Sequence, residues 1–244
     1  MHIRSKDKIA LVERDGYRYR RFLAELATRG EPLASSEDGF GVLRVFDDVV
    51  IDAGARVHVD AHDGFESVVY VLDGECLVED DRGMAAVVAK HRAARVVLGQ
   101  DVGHDISNPS STSALHVLVA AVVAPAANPR PRFVVRSFEG DPPKIVWIAS
   151  HEVEAQREPT LMLASSARIG IATLEPGGEI EFPRALDRGL YVNVLEGNIE
   201  FGSRFVDAGG DATQSRESEA RLQSITSSRV VIADVAMGYA QRVS

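Results

Sequence analysis

Apolar and polar residues alternate in short runs along residues 40–123, and glycine or aspartate turns separate one run from the next. This two-residue period is typical of β-strands. Strands are predicted at 42–46, 49–52, 57–62, 65–72, 75–80, 85–90, 94–98, 102–106 and 115–123, with a turn at Asp47 and Asp48. Short strands at this even spacing predict an all-β fold, either a sandwich or a small barrel. Residues 22–28 fit two turns of helix as well as an extended segment, and residues 9–38 are therefore left open.

The second half of the chain repeats the first in outline. The segment GLYVNVLEG at 189–197 aligns with ESVVYVLDG at 66–74, and further strands are predicted at 200–206, 221–225 and 229–235. A proline-marked stretch at 125–143 separates the two halves, and proline is excluded from sheet interiors. We therefore predict two domains of common ancestry, at residues 1–130 and 131–244.

Composition narrows the function classes. The net charge is −9, with 27 Lys and Arg against 36 Asp and Glu, which argues against a nucleic-acid backbone as direct partner. The single cysteine, Cys76, excludes an intramolecular disulfide and is predicted to be buried. No apolar run approaches the roughly 20 residues of a membrane helix, and no export signal is evident. The expectation is an acidic cytoplasmic protein without a membrane partner.

Candidate chemistry is concentrated in residues 54–74 and near residue 104. The spacing is Gly54, then Asp60-x-His62, then Glu66, then Gly74. If residues 57–62 are extended, His58, Asp60 and His62 point to one face of a sheet. Two imidazoles and a carboxylate on one face can bind a metal, but a metal-free polar barrel mouth can show the same arrangement. Farther along, His104 precedes Asn108 by four residues.

These spacings resemble the two conserved motifs of cupins, and the segment AHDGFESVVYVLDG resembles the signature of the pirin branch of that superfamily. The resemblance is good over residues 39–138 and extends to the rest of the chain in layout. It implies two tandem jelly-roll domains, that is, a pirin-like bicupin. Pirins hold a metal with four residues, which by position become Asp60, His62, His104 and Ile106. An isoleucine side chain has no donor atom, so this ligand set is incomplete.

Two interpretations of the first domain stay open. In one, Asp60, His62 and His104 bind a divalent metal (iron, or alternatively nickel, manganese or zinc), with Glu66 as a further ligand or as proton acceptor. The resemblance then implies a dioxygenase of the quercetinase kind that acts on a small aromatic or enolic substrate. In the other, no metal is bound, and His62, His104 and Glu66 hydrogen-bond one another around water or an organic anion. We favour the second, because the departures fall on the ligand positions themselves.

The second domain is predicted to bind no metal. Ala185 and Gly189 stand where the first half has His62 and Glu66, and no histidine follows His151. Its expected role is to pack against the first domain or to close its site. The expected partner of the protein is a small organic ligand, and a third interpretation makes both domains a scaffold for a protein partner.

Overall fold

The structure is a computed structural model that describes residues 1–23, 39–60, 64–97, 103–124, 133–137, 145–152, 160–183, 186–215 and 219–237. Apart from a 3-10 turn at Lys6–Lys8, the regular elements in these ranges are strands, so the all-β prediction is confirmed. In chain order they are β1 His2–Arg4, β2 Leu11–Arg14, β3 Tyr17–Arg21, β4 Leu43–Ile51, β5 Arg56–Val59, β6 Phe65–Asp73, β7 Glu75–Asp80, β8 Ala85–Ala89, β9 Arg92–Val97, β10 His104–Ser107, β11 Leu115–Val123, β12 Phe133–Ser137, β13 Val146–Ser150, β14 Leu161–Met162, β15 Ala167–Leu174, β16 Glu179–Pro183, β17 Arg188–Glu196, β18 Asn198–Phe201, β19 Arg204–Asp207, β20 Asp211–Ser215, β21 Glu219–Ser224 and β22 Ser228–Ala236. Within the same ranges no helix has the length and apolar character needed to cross a bilayer.

Each half of the chain forms a sandwich of one large and one small sheet. The first sandwich combines the seven-stranded sheet β12-β9-β6-β11-β4-β3-β2 with the four-stranded sheet β5-β10-β7-β8. The second sandwich combines β1-β20-β17-β22-β15-β13-β14 with β16-β21-β18-β19. Adding eleven to the strand numbers of β9-β6-β11-β4 and β5-β10-β7-β8 gives the order in the second half, which confirms the internal repeat.

The two halves exchange edge strands. The first strand, β1, pairs with β20 of the second sandwich, with His2 opposite Thr213. In return β12, which follows residue 130, pairs with β9 of the first sandwich, with Phe133 opposite Val96. A division of the chain at residue 130 therefore separates β1 and β12 from the strands with which they pair.

Both faces of the large sheets are buried. One face of each large sheet lines its own sandwich, and the other packs against the large sheet of the other half. At this shared core the ring centroids of Phe46 and Tyr191 lie 5.1 Å apart. The Tyr191 hydroxyl donates to Asp211 at 3.1 Å, and Arg4 of β1 donates through Nε to the same carboxylate at 2.9 Å. The large interface fixes the two sandwiches back to back.

The structure corrects the prediction in two places and shortens it in a third. The single strand predicted at 200–206 is wrong, because a turn at Gly202 and Ser203 divides the segment into β18 and β19, which pair with each other. The turn predicted at Asp47 and Asp48 is wrong, because β4 runs without interruption through both residues and pairs with β11 along its length. Asp47 is fully buried, which is why its polarity misled the turn prediction. The strand predicted at 57–62 ends at Val59, and residues 61–63 lie outside the described ranges, as do residues 24–38 of the open N-terminal segment.

Candidate functional site

His104 opens β10 and points into the first sandwich. The strand lies between β5 and β7, which places His104 opposite Val59 and Asp80. Its side chain has no exposed surface, and within the described residues neither ring nitrogen has a hydrogen-bond partner. Burial and, to a smaller extent, the nearby His58 lower the pKa of His104 to about 4. The ring is therefore neutral at pH 7 and offers one donor and one acceptor to the interior.

Asp60 lies on the other side of this sheet. Along β5, Val57 and Val59 are buried in the first sandwich, whereas His58 alternates outward. Asp60 follows the same alternation, and its Oδ1 lies 3.4 Å from the Nε2 of His58. The Nδ1 of that ring lies 2.6 Å from Asp105 on the outer face. His58 and Asp60 thus share a face, as predicted, but it is the face opposite to that of His104.

Glu66 faces the second half of the chain. It is fully buried on β6, on the side of Val68 and Tyr70, which belong to the core between the two large sheets. Arg95 binds Oε2 through Nε at 2.6 Å and Nη2 at 2.5 Å. The Oε1 atom accepts the backbone N–H groups of Ala164 at 2.8 Å and Ser165 at 3.1 Å. The predicted hydrogen bond between Glu66 and His104 is wrong, because these four N–H donors already fill the carboxylate.

The repeat explains why the second half carries glycine at the same position. A Cβ atom on Gly189 would lie 2.4 Å from the Sδ of Met237 and 2.6 Å from the ring of Phe40. The segment before β4 thus packs on β17, just as the segment before β15 packs on β6. On β6 the contact is made by the buried carboxylate of Glu66, and on β17 it is made by close packing of side chains on Gly189.

The described side chains do not fit a four-ligand metal centre. Of the four inherited positions, His104 faces the interior and has no partner among the described residues, Ile106 is a buried aliphatic residue, and Asp60 faces outward. Among the described residues no group of three or more His, Cys, Asp or Glu side chains is placed to hold a metal ion. His62 lies outside these residues, and its role as a ligand stays a prediction. We therefore route no chemical step through a metal.

Two polar residues fix the strand that carries His104. The Asp81 carboxylate accepts the N–H of Gly103 at 2.7 Å, directly before the histidine. At the other end, Asn108 donates to the carbonyl oxygens of Ile51, Asp52 and Ser113 at 2.9 to 3.0 Å. The asparagine of the second motif thus has a structural role, since it ties the end of β10 to the neighbouring backbone.

Arg95, the partner of Glu66, is absent from the predictions, although a lone arginine in the apolar run AARVV indicates a buried carboxylate partner.

The corresponding end of the second sandwich holds an ion-pair cluster. Asp234 is 2% exposed and binds Arg168 Nη2 at 2.5 Å and Arg188 Nε at 2.7 Å. The Arg168 guanidinium stacks 4.6 Å from the ring centroid of Trp147. The strand register puts Ala220 where the first half has His104. The second half therefore carries an alanine in place of the histidine, and its paired charges lie on the large sheet.

Comparisons with known proteins agree with this architecture. The family described as the quercetinase C-terminal cupin domain matches residues 147–235. A quercetin 2,3-dioxygenase of Escherichia coli is 26% identical over 161 residues, which cover 66% of this chain and 68% of that relative. The structure of YhhW from Escherichia coli superposes with a TM-score of 0.83 at 19% identity and covers 98% of this chain and 99% of that chain. The structure of bacterial pirin YhhW in complex with nickel(II) gives 0.82 at the same identity, with 97% and 99% covered.

Proposed function

The chain is a pirin-like bicupin, and from that premise we propose that its first sandwich binds a small organic ligand without a fully ligated metal centre. The observation that carries the proposal is the state of His104, a fully buried imidazole whose two nitrogens have no hydrogen-bond partner among the residues that the structure describes. Buried polar groups in native proteins are almost always hydrogen-bonded, so an open pair of this kind indicates an external partner.

The incomplete ligand set supports a binding role. Ile106 donates nothing, and Asp60 is held on the outer face by His58. Glu66 is engaged by Arg95 and by two amides of the second half. With these positions unavailable, the interior retains hydrogen-bonding capacity from His104, and no group of three or more possible metal ligands comes together among the described residues. Small-ligand pockets have this character, being mostly apolar with a few placed polar groups.

The test is metal content followed by metal titration. The purified protein should contain much less than one metal ion per chain, and calorimetry with Fe(II) or Ni(II) should give the same weak binding for wild type and His104→Ala. His116→Ala is the matched control, because that histidine is half-exposed on β11 and pairs with Asp48. One tightly bound metal per chain that disappears in both His62→Ala and His104→Ala, but persists in His116→Ala, would contradict the proposal.

The alternative is a metal-dependent dioxygenase. It is favoured by the similarity to the Escherichia coli quercetin 2,3-dioxygenase and by the nickel(II) complex of the structurally similar pirin. In this alternative His104 and His62 would supply the nitrogen donors, and the substrate would be a small aromatic or enolic compound. Oxygen consumption with quercetin that depends on added metal and on both histidines would establish it.

We place this function in the cytoplasm, in keeping with a free and buried Cys76 thiol. A small organic ligand is the proposed partner.

A further inference from the structure

Two arginines converge on one buried carboxylate at the end of the second sandwich. Ile232 belongs to the core of that sandwich, and Asp234, two residues later on β22, shares its inward face. The Oδ1 atom of Asp234 accepts a hydrogen bond from Nε of Arg188 at 2.7 Å, and Oδ2 accepts one from Nη2 of Arg168 at 2.5 Å. A single carboxylate therefore holds two guanidiniums side by side, and this group of three carries one positive charge in excess.

Both guanidiniums stay within reach of solvent. The Arg168 side chain is 23% exposed and the Arg188 side chain is 16% exposed, whereas that of Asp234 is only 2% exposed. Arg188 donates through Nη1 to the hydroxyl of Ser166, an exposed residue, at 3.1 Å. Each terminal guanidinium nitrogen carries two N–H groups, so an acceptor that approaches from solvent can still be bound. Binding at this edge requires no internal cavity.

Glu152 shows that a carboxylate fits beside Arg168. Its Oε2 atom accepts a hydrogen bond from Nη1 of Arg168 at 3.1 Å, and its side chain is 44% exposed. Exposed ion pairs of this kind contribute little to stability, so the contact can be exchanged at low cost. The guanidinium itself is held by Asp234 and by Trp147, whose ring centroid lies 4.6 Å away. Glu152 is therefore an exchangeable acceptor on a fixed cation.

The first half of the chain lacks this cluster. By strand register, Asp234 and Arg188 correspond to Ala121 and Phe65, which are both apolar. The shared fold can thus close this end of a sandwich without charges. Replacing a buried ion pair by apolar residues is often neutral or stabilising, so the cluster is not needed for packing. Its presence in the second half indicates a binding role.

We propose that Arg168 and Arg188 form a binding site for a small organic carboxylate, which takes the place of Glu152. The ligand class follows from the charges, because the excess positive charge of the two arginines over Asp234 matches a single negative group. It also follows from the shape of the donor, since a planar carboxylate can accept two parallel N–H groups from one guanidinium. The site lies in the second half and goes beyond the proposed function of the first sandwich.

The test is a titration of the full chain with benzoate, followed by the fluorescence of Trp147, the single tryptophan. Because Arg168 stacks on that ring, an anion bound to the guanidinium should change the emission. Benzamide, a neutral molecule of the same shape, should bind roughly tenfold more weakly or not at all. Glu152→Gln should strengthen benzoate binding about two- to fivefold, because the competing acceptor loses its charge. Glu179→Gln is the matched control, since this glutamate pairs with Arg221 on the outer face of the small sheet.

A second pair of variants tests the cation. Arg168→Gln should lose the response to benzoate, and Arg221→Gln should keep it. Asp234 retains Arg188 as its partner in the first of these variants, and far-UV circular dichroism verifies that the variant is folded. Equal benzoate affinity in wild type and Glu152→Gln overturns the inference, whether or not Arg168→Gln folds. It is also overturned if neither protein gives a saturable response, or if benzamide binds as tightly as benzoate.

Discussion

Replacing Glu66 by alanine should destabilise the protein and leave no specific effect on the pocket. The substitution removes the carboxylate that pairs with Arg95, whose side chain is 11% exposed, and also frees the amides of Ala164 and Ser165. Breaking a buried ion pair by removing one partner costs about 3–5 kcal/mol, because the remaining charge stays buried without compensation. For a chain of this size that corresponds to a fall in the thermal midpoint of roughly 6–20 °C.

Companion variants isolate the physical cause. Glu66→Gln retains an oxygen for the two amides but loses the charge that faces Arg95, so its loss of stability should be smaller. Removing both partners in Glu66→Ala with Arg95→Ala should recover part of the loss, since no charge is then left unpaired. Glu75→Ala, at an exposed position of β7, is the matched control and should stay within about 0.5 kcal/mol of wild type.

The assay is urea unfolding followed by far-UV circular dichroism, supported by thermal scans. The result that refutes the reasoning is a loss below about 1 kcal/mol in Glu66→Ala, with no recovery in the double variant. If that variant also lost metal or ligand binding while keeping wild-type stability, the glutamate would have the catalytic or ligating role predicted from the sequence.

Three further predictions follow from the same structure. Gly189→Ala should cost about 1–3 kcal/mol in urea unfolding, because the added methyl group overlaps Met237 and Phe40, and adding Met237→Ala should relieve part of it. In metal-free buffer the wild type should lose about 3 kcal/mol of stability as the pH falls from about 6.5 to about 4, because His104 is protonated in the unfolded state but stays neutral in the folded state over this range. The His104→Gln variant should lose less stability over the same range. Burial raises the pKa of Cys76 to about 12, so the native thiol should not react with a disulfide reagent at pH 8 and should react fully in denaturant; rapid native labelling would contradict its burial.

The strands could be predicted from the sequence because their pattern depends on local chemistry. The alternation along β5, with Val57 and Val59 buried and His58 outward, follows directly from the two-residue period of a strand. Glycine turns mark the hairpin between β6 and β7, where Gly74 has a φ of +90°, a conformation that favours glycine. The repeat of ESVVYVLDG in GLYVNVLEG likewise predicted two units of the same strand order.

The candidate site could be predicted only in part from the sequence. The sequence identified His104 as an inward-pointing imidazole and Ile106 as a position without a donor, and both predictions agree with the structure. It grouped Asp60 with this site because the family spacing places it there. It grouped Glu66 for the same reason, and it missed Arg95, the partner of that carboxylate. These errors share a cause. The spacing along the chain shows which residues share a face of a strand, but it does not show which part of the protein that face contacts.

The sequence by itself determined most of the strands, the glycine turns between them, the repeat and the absence of histidine after His151. Only the tertiary structure decided which side of β6 meets the other half of the protein. Seven consecutive residues of β6, from Glu66 to Leu72, are buried, so no polar face distinguishes the interior of the sandwich from the interface. That choice is made by contacts nearly one hundred residues apart in the chain, such as Glu66 with Ala164, and it directs the carboxylate of Glu66 into the interface between the two halves.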